Sequence, residues 1–320
     1  MTEDTGDAPE VSVLVVAYAS ADWLDRCLRS LAEDTEVRHR REVLVLDNAS
    51  PGDDRSVMRR YEVRAFTSPV NLGFGRGVNR LAAEARGRHL LLLNPDTEVR
   101  PGAVDALVDF LQAGPERVMV GGRTLTPEGE LLPSSCWGTP TPWSLTCFGL
   151  GLSTAFARHP RFDPESLGSW PRDSIREVGV VTGCLALLHR DTWRRLGGFD
   201  ERFYMYSEDT DLSLRAARLG RLAITPAAEA VHAVGASSRP VERAVLLHRG
   251  KTTLVRTHWS GWRRAWMLAM IRLGVALRAL LERVTTDRAG APWLATWRRR
   301  HEWVRGWPQP EPDDGIQPLL

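Results

Sequence analysis

The run Val11–Val16 (VSVLVV) constrains this chain more than any other feature, because five of its six residues are apolar and four are valine. A strand made of it has no polar face and must be covered on both sides, the situation of a central strand in a parallel sheet. Related runs recur at Val43–Leu46 and His89–Leu93, with a weaker one at Arg64–Thr67. Between them, Ala21–Leu31 sets Trp23, Leu24, Cys27, Leu28 and Leu31 at helical spacing, and Val78–Ala85 and Gly102–Leu111 also read as helices. Strands alternating with helices at this interval imply right-handed βαβ units and an α/β fold built on a mostly parallel sheet.

The rhythm fails over residues 125–176, where Pro, Gly, Ser and Trp replace periodicity. That stretch reads as a loop-rich lobe inserted on the acceptor side of the active face. Order returns at Val178–Leu188, followed by helices near 191–196 and 209–218 and a strand ending at His232. Residues 11–240 form the expected catalytic domain and 241–306 a helical, Trp-rich extension. The flanks, residues 1–10 and 307–320, read as disordered.

Charge separates the extension from the rest. The whole chain carries a net charge of only +2, which gives no reason to expect nucleic acid as a partner. Arg243–Arg305, however, holds thirteen arginines and Lys251 against three carboxylates. Residues 264–284 are apolar enough to suggest a membrane span, but Arg272, Arg278 and Glu282 fall inside it, and charges at mid-bilayer are costly. On a helical wheel Arg264, Arg272, Arg278, Glu282 and Arg283 share one arc, and Trp266, Met270, Leu273, Leu277, Leu280 and Val284 the other. The pattern suits a helix lying in an anionic membrane interface. The alternative is a helix packed on the catalytic domain with its arginines solvated. The acidic N-terminus has no leader-like pattern, and the four cysteines have no CxxC spacing, so a reducing, cytoplasmic setting at the inner face of the membrane is expected.

Ligands of parallel sheets gather at the carboxyl ends of the strands. Tyr18, Asp47 and Asp96 stand there in the sequence. A single Asp after a strand is ordinarily a cap or turn residue, but several on one rim point to a site. Tyr18 suits stacking on a base and Asp47 accepting a pyrimidine N–H. Asp96, in Asn94-Pro95-Asp96, suits a hard divalent cation completed by phosphate oxygens. Asn71-Leu-Gly-Phe-Gly-Arg-Gly-Val-Asn79 offers glycines for close backbone approach; its GxGxG spacing and its place in the chain exclude the dinucleotide fingerprint. The segment Gly197–Asp211 (GGFDERFYMYSEDTD) carries Glu201, Glu208, Asp209 and Asp211. One of these carboxylates can cap a helix, while another can serve as a general base. His232 follows a strand, where a lone His is either structural or a metal ligand.

In order, VSVLVVAY, VLVLDNAS, NLGFGRGVN, LLLNPD, GGFDERFYMYSEDTDLSLR and a histidine before GxS resemble the inverting glycosyltransferases of family 2, with the GT-A fold. The likeness spans about Val11–Ser238 and is strongest to the rhamnosyltransferase-type branch. It implies donor contacts at Tyr18, Asp47, Asn71, Gly73, Asn79 and Glu208, Mg²⁺ or Mn²⁺ at Asp96 and His232, and Asp209 as catalytic base. The donor it implies is dTDP-rhamnose and the acceptor a lipid-linked, polyprenyl-diphosphate glycan. Two departures stand out: Ala17-Tyr18-Ala19 replaces the usual Thr-Tyr-Asn, and Asn94 stands where many relatives have Asp. A different nucleotide sugar, a soluble acceptor, or a binding protein without catalysis are the alternatives.

Overall fold

In a computed structural model, which describes residues 8–35, 37–233, 240–285, 292–313 and 315–319, β1 (Val11–Ala17) is buried along its whole length. Val11, Val13 and Val15 enter one core, while Leu14 and Val16 enter the other. Both faces of the strand are therefore covered, as its composition requires. Parallel partners flank it, β2 (Arg41–Asp47) on one side and β4 (His89–Leu93) on the other, with β3 (Arg64–Thr67) outside β2.

Beyond β4 the sheet changes direction. β7 (Leu185–His189) runs antiparallel between β4 and β6 (Arg117–Leu125), and β8 (Arg221–His232) lies parallel to β6. The main sheet runs β3-β2-β1-β4-β7-β6-β8-β5, where β5 is Thr97–Val99. Helices α1 (Ala21–Ala32), α2 (Asp54–Met58) and α4 (Ala103–Gln112) cover one face; α3 (Phe74–Glu84) and α6 (Glu208–Ala216) cover the other. The strand read over 178–188 is interrupted, with Val180–Val181 pairing separately and Thr182-Gly183-Cys184 left as a loop.

The inserted lobe is loop-rich but carries α5 (Pro142–Gly149), started by a Thr141–Ser144 capping box. This helix packs against the C-terminal layer: α7 (Pro240–His258), α8 (Gly261–Thr285) and α9 (Pro292–Arg298). Leu145 from the lobe joins Val245, Val255, Met267, Met270, Ile271, Val275 and Trp303 in a third apolar core. Lobe and extension thus share one interior.

Two expectations are corrected here. Arg278 is not on an outer polar arc of α8: its guanidinium lies 4.4 Å from the Phe148 ring and donates to the Phe148 carbonyl at 2.9 Å. Likewise Met270 is buried, because α8 turns one flank onto α5 and leaves Trp262, Trp266, Leu277, Leu280 and Val284 exposed. The tail is also ordered where it is described. Gln317–Pro318 (β9) pairs with β3, and Leu319 donates to the Ala65 carbonyl at 2.8 Å. Asp313, almost fully buried, receives Arg76 and Arg80. Those two arginines supply the charge-assisted bonds that bind the tail. At the other end residues 1–7 lie outside the described residues, and Glu10 is anchored through its N–H to the Arg40 carbonyl at 2.7 Å.

Burial pushes the Asp313 carboxyl up, but the bonds from Arg80, Gly315 and Arg76 outweigh it and hold it below the ordinary value. A depressed native pKa stabilises above the unfolded value, and that contribution disappears as pH falls through the native one. Asp313→Ala should therefore cost about 2 kcal/mol in denaturant unfolding at pH 7. The gap between variant and parent should close progressively below about pH 4.

Candidate active site

The strand ends, the lobe and α7 enclose a cleft of about 1180 Å³. Tyr18, Asn71, Asp96, Glu208, Asp209 and His232 all line it. Six of the nine residues singled out from sequence therefore converge.

Asp209 is placed by a strained approach. Tyr206 and Ser207 have φ of 64° and 71°, two consecutive non-glycine residues in the left-handed region, and α6 begins at the next residue. Such strain persists only where the surroundings over-determine it. They do so on two sides. A Cβ on Gly73 would run into the Tyr204 carbonyl oxygen, and one on Gly250 of α7 into that of Tyr206. Backbones this close leave the loop no room to relax.

Of the five carboxylates of the segment, Asp200 pairs with Arg202 and the other four divide by environment. Glu201 pairs with Arg80 at 2.9 Å. Asp211, fully buried, accepts two bonds from Arg215 at 2.6 and 2.9 Å and one contact from His258 Nε2 at 2.7 Å. These two are structural, and Asp211 ties α6 to α7. Glu208 is buried with Oε2 lacking any partner, and burial plus the Asp209 charge pushes it up to about 8. Burial also raises Asp209, opposed by the Thr210 N–H (2.7 Å), the Thr210 hydroxyl (3.3 Å) and the Gly183 N–H. Adjacent carboxyls do not both ionise readily, so the orphaned Glu208 takes the shared proton near neutrality and the hydrogen-bonded Asp209 keeps its charge.

On the lining of the same cleft, Asp96 Oδ1 meets His232 Nε2 at 3.2 Å. Burial works against the imidazolium, but hydrogen bonding to Asp96 and to the Cys184 sulfur prevails and pushes His232 up to about 10. Among the described residues no group of three or more His, Cys, Asp or Glu could hold a metal alone. One carboxylate and one imidazole on the cleft lining fit a hard dication that displaces the His232 proton, its remaining positions filled by substrate oxygens and water. The GxS after His232 lies outside the described residues.

Three expected donor contacts do not line the cleft, and each is otherwise engaged. Asp47 is fully buried, held by Arg55 Nε at 2.6 Å and the Ser50 N–H at 2.9 Å. Asn79 exchanges two 2.9 Å bonds with the Phe199 backbone, joining α3 to the base segment. Gly73 serves close packing on Tyr204. Sequence reading missed Asp54, which lines the cleft with Oδ1 bonded by Ser20 and Oδ2 buried without a partner. It also missed Gly250, His258 and Lys251, since nothing in the spacing of α7 announces that it faces the site. At Ala19 φ is 50° and the N–H donates to Ser50 Oγ at 3.1 Å. The left-handed turn survives without the side chain that best tolerates it.

A largely parallel sheet whose strand ends carry Tyr18 and Asp96 beside Glu208-Asp209 on one cleft has the layout of the GT-A fold. Solved structures agree. A mannosyltransferase from Pyrobaculum calidifontis, in complex with GDP-Man and Mn²⁺, superposes with TM-score 0.55 at 18% identity, over 93% of this chain and 86% of its own. GalNAc-T7 with UDP, GalNAc and Mn²⁺ superposes with TM-score 0.57 at 14% identity, over 93% of this chain and 55% of its own. The description Glycosyl transferase family 2 matches residues 12–153. The N-acetylglucosaminyl-diphospho-decaprenol L-rhamnosyltransferase of Mycobacterium tuberculosis is 32% identical over 90% of this chain and 98% of its own length. Rhamnosyltransferase WbbL of Escherichia coli is 24% identical over 69% of this chain and 83% of its own. The chain belongs to glycosyl transferase family 2.

Gly250→Ala should lower kcat about 100-fold with little change in donor KM, since a displacement near 1 Å at the base is enough for that loss. Steady-state kinetics with both substrates varied will test this.

Proposed function

We propose that this chain is an inverting rhamnosyltransferase that moves rhamnose from dTDP-rhamnose to a hydroxyl of a polyprenyl-diphosphate-linked GlcNAc. The observation that carries the reading is the pairing of unlike carboxyls: a hydrogen-bonded Asp209 beside an orphaned Glu208 lines the same cleft as Asp96 and His232. The rhamnose and the lipid-linked acceptor come from the mycobacterial relative, which matches from end to end.

In this reading Tyr18, partly exposed on the cleft wall, stacks on the donor base. Asn71, whose Oδ1 accepts from Asn48 Nδ2 at 3.0 Å and from the Gly73 N–H at 2.9 Å, shapes the nucleotide pocket. Asp47, Gly73 and Asn79 act by holding that pocket in place. Asp209 takes the proton of the acceptor hydroxyl as its oxygen bonds to the anomeric carbon. The bond to the diphosphate oxygen breaks on the opposite face, so dTDP leaves with the electron pair and the configuration inverts. Mg²⁺ or Mn²⁺, held by Asp96 and His232, would neutralise charge on the departing diphosphate.

The lipid-linked acceptor gives α8 a purpose. No helix among the described residues is long and apolar enough to cross a membrane. Trp262, Trp266, Leu277, Leu280 and Val284 nevertheless share one exposed arc, with Val284 at 77% and Trp262 at 71% exposure. Arg263, Arg272 and Arg283 border that arc. Solvated arginines alone would not leave so much apolar surface in water. We infer that this face rests on the cytoplasmic, anionic membrane surface.

Asp209→Asn should cut transfer by about 10²–10⁴-fold while leaving dTDP affinity intact, as measured by dTDP release and by nucleotide titration. A base must be deprotonated to act, and the Asp209 carboxyl is raised. The acid limb of kcat against pH should therefore lie above the ordinary carboxylate range of about 4. A limb at or below that range, or full activity in Asp209→Asn, would exclude Asp209 as the base. Replacing Trp262 and Leu280 together by Glu should weaken sedimentation with anionic vesicles at least tenfold, about 1.4 kcal/mol, without altering the unfolding midpoint.

A further inference from the structure

One stretch of the cleft lining is cationic. Helix α7 turns Arg243, Leu247, Lys251 and Leu254 toward the cleft, at intervals of four, four and three residues. Among the described residues neither Arg243 nor Lys251 has an ion-pair partner. Lys251 Nζ lies 5.6 Å from the Phe148 ring, and the Arg278 guanidinium lies 4.4 Å from the same ring. Arg278 spends its donors on neutral oxygens, the Phe148 and Gly274 carbonyls and the Thr154 hydroxyl. The neighbouring His248 stays neutral and adds no further positive charge: burial, with Lys251 and Arg278 close by, depresses its imidazole to about 4. Like charges around one ring, with no carboxylate between them, call for an external anion.

The rest of the lining is rich in carboxyl groups. Asp96 and the Glu208–Asp209 pair stand at the strand ends and on α6, and Asp163 and Glu165 belong to the lobe. An anion drawn to α7 is therefore held away from the place where a donor diphosphate meets Asp96. Leu145, Phe148 and Trp293 border the cationic positions, so the anion's continuation is apolar. Arg243 and Lys251 are two helical turns apart, about 12 Å along the axis, a span that two long side chains close around a diphosphate. Guanidinium supplies a planar fork and ammonium a point charge, a combination suited to phosphoryl oxygens.

We propose that Arg243 and Lys251 form the subsite for the diphosphate of the lipid-linked acceptor, separate from the donor diphosphate at Asp96. The proposal rests on the reading that the acceptor is a polyprenyl-diphosphate sugar. The glycan then points from α7 toward Asp209, and the polyprenyl chain leaves past Phe148 and Trp293 toward the exposed arc of α8.

Farnesyl diphosphate tests the subsite without any transfer. The full chain should bind it, as followed by tryptophan fluorescence, and Lys251→Gln and Arg243→Gln should each weaken that binding about tenfold or more while dTDP affinity stays within twofold. Lys251→Arg should recover most of the loss. In transfer assays the preference for a polyprenyl-diphosphate-GlcNAc over an uncharged alkyl GlcNAc glycoside should collapse in Lys251→Gln. Absence of farnesyl diphosphate binding by the parent chain overturns the proposal. So does a loss of dTDP affinity matching the loss for farnesyl diphosphate, which would assign the cations to the donor. Should farnesyl diphosphate bind through Lys251 while no dTDP-rhamnose is consumed, the subsite stands and the donor reading fails.

Discussion

Tyr206 and Ser207, held in the left-handed region immediately before α6, are the constraint on which the site depends. Each costs on the order of 1–2 kcal/mol relative to ordinary backbone, and neither has a glycine's freedom. The surroundings hold them by contact from outside the segment. Gly73 admits the Tyr204 carbonyl from the α3 side, Gly250 admits the Tyr206 carbonyl from the α7 side, and Asp211 draws His258 of α7 onto the base helix. Helix α7 therefore belongs to the catalytic unit. Without it the strained turn would relax and Asp209 would shift with it.

The same helix solves an electrostatic difficulty. A site that presents Glu208, Asp209 and Asp96 to one cleft gathers negative charge where anionic substrates must enter. Proton sharing between Glu208 and Asp209 removes one charge, and His232 offsets Asp96. Lys251 and Arg243 bring positive charge to the same lining from α7, with Leu247 and the Phe148 ring beside them.

Much of the fold was legible in the sequence. VSVLVV and HLLLL have no polar face, so central, doubly covered strands were their only stable use, and β1 and β4 are buried throughout. The convergence of Tyr18, Asp96, Asp209 and His232 followed from strand ends and from likeness to the family. Less legible was the fate of polar residues at the same strand ends. Asp47 resembles Asp96 in position, yet Arg55, eight residues on, claims its carboxylate. No periodicity distinguishes a carboxylate that waits for a ligand from one already paired. The tail misled for a related reason: WPQPEPDDG is polar and Pro-rich, as disordered segments are, but Asp313 meets arginines more than 230 residues away in the chain. Pairings of that range leave no local signature.

The α8 wheel shows how a correct pattern is divided by tertiary packing. Apolar residues cover more than half the circumference of this helix, more than one interface needs. The flank with Met267, Ile271 and Val275 closes the core shared with α5 and α7, and takes Arg278 with it because Phe148 offers both a ring face and a carbonyl. The remaining arc, from Trp262 to Val284, is left to solvent or membrane. On the proposed reading, a helix that uses one flank to fix the lobe and α7 around the cleft, and the other to meet lipid, would couple the height of the active site above the membrane to the geometry of that site. Its two faces are fixed to each other by the helix itself, so an acceptor anchored in the bilayer would reach Asp209 from a set direction rather than by diffusion within an open cleft.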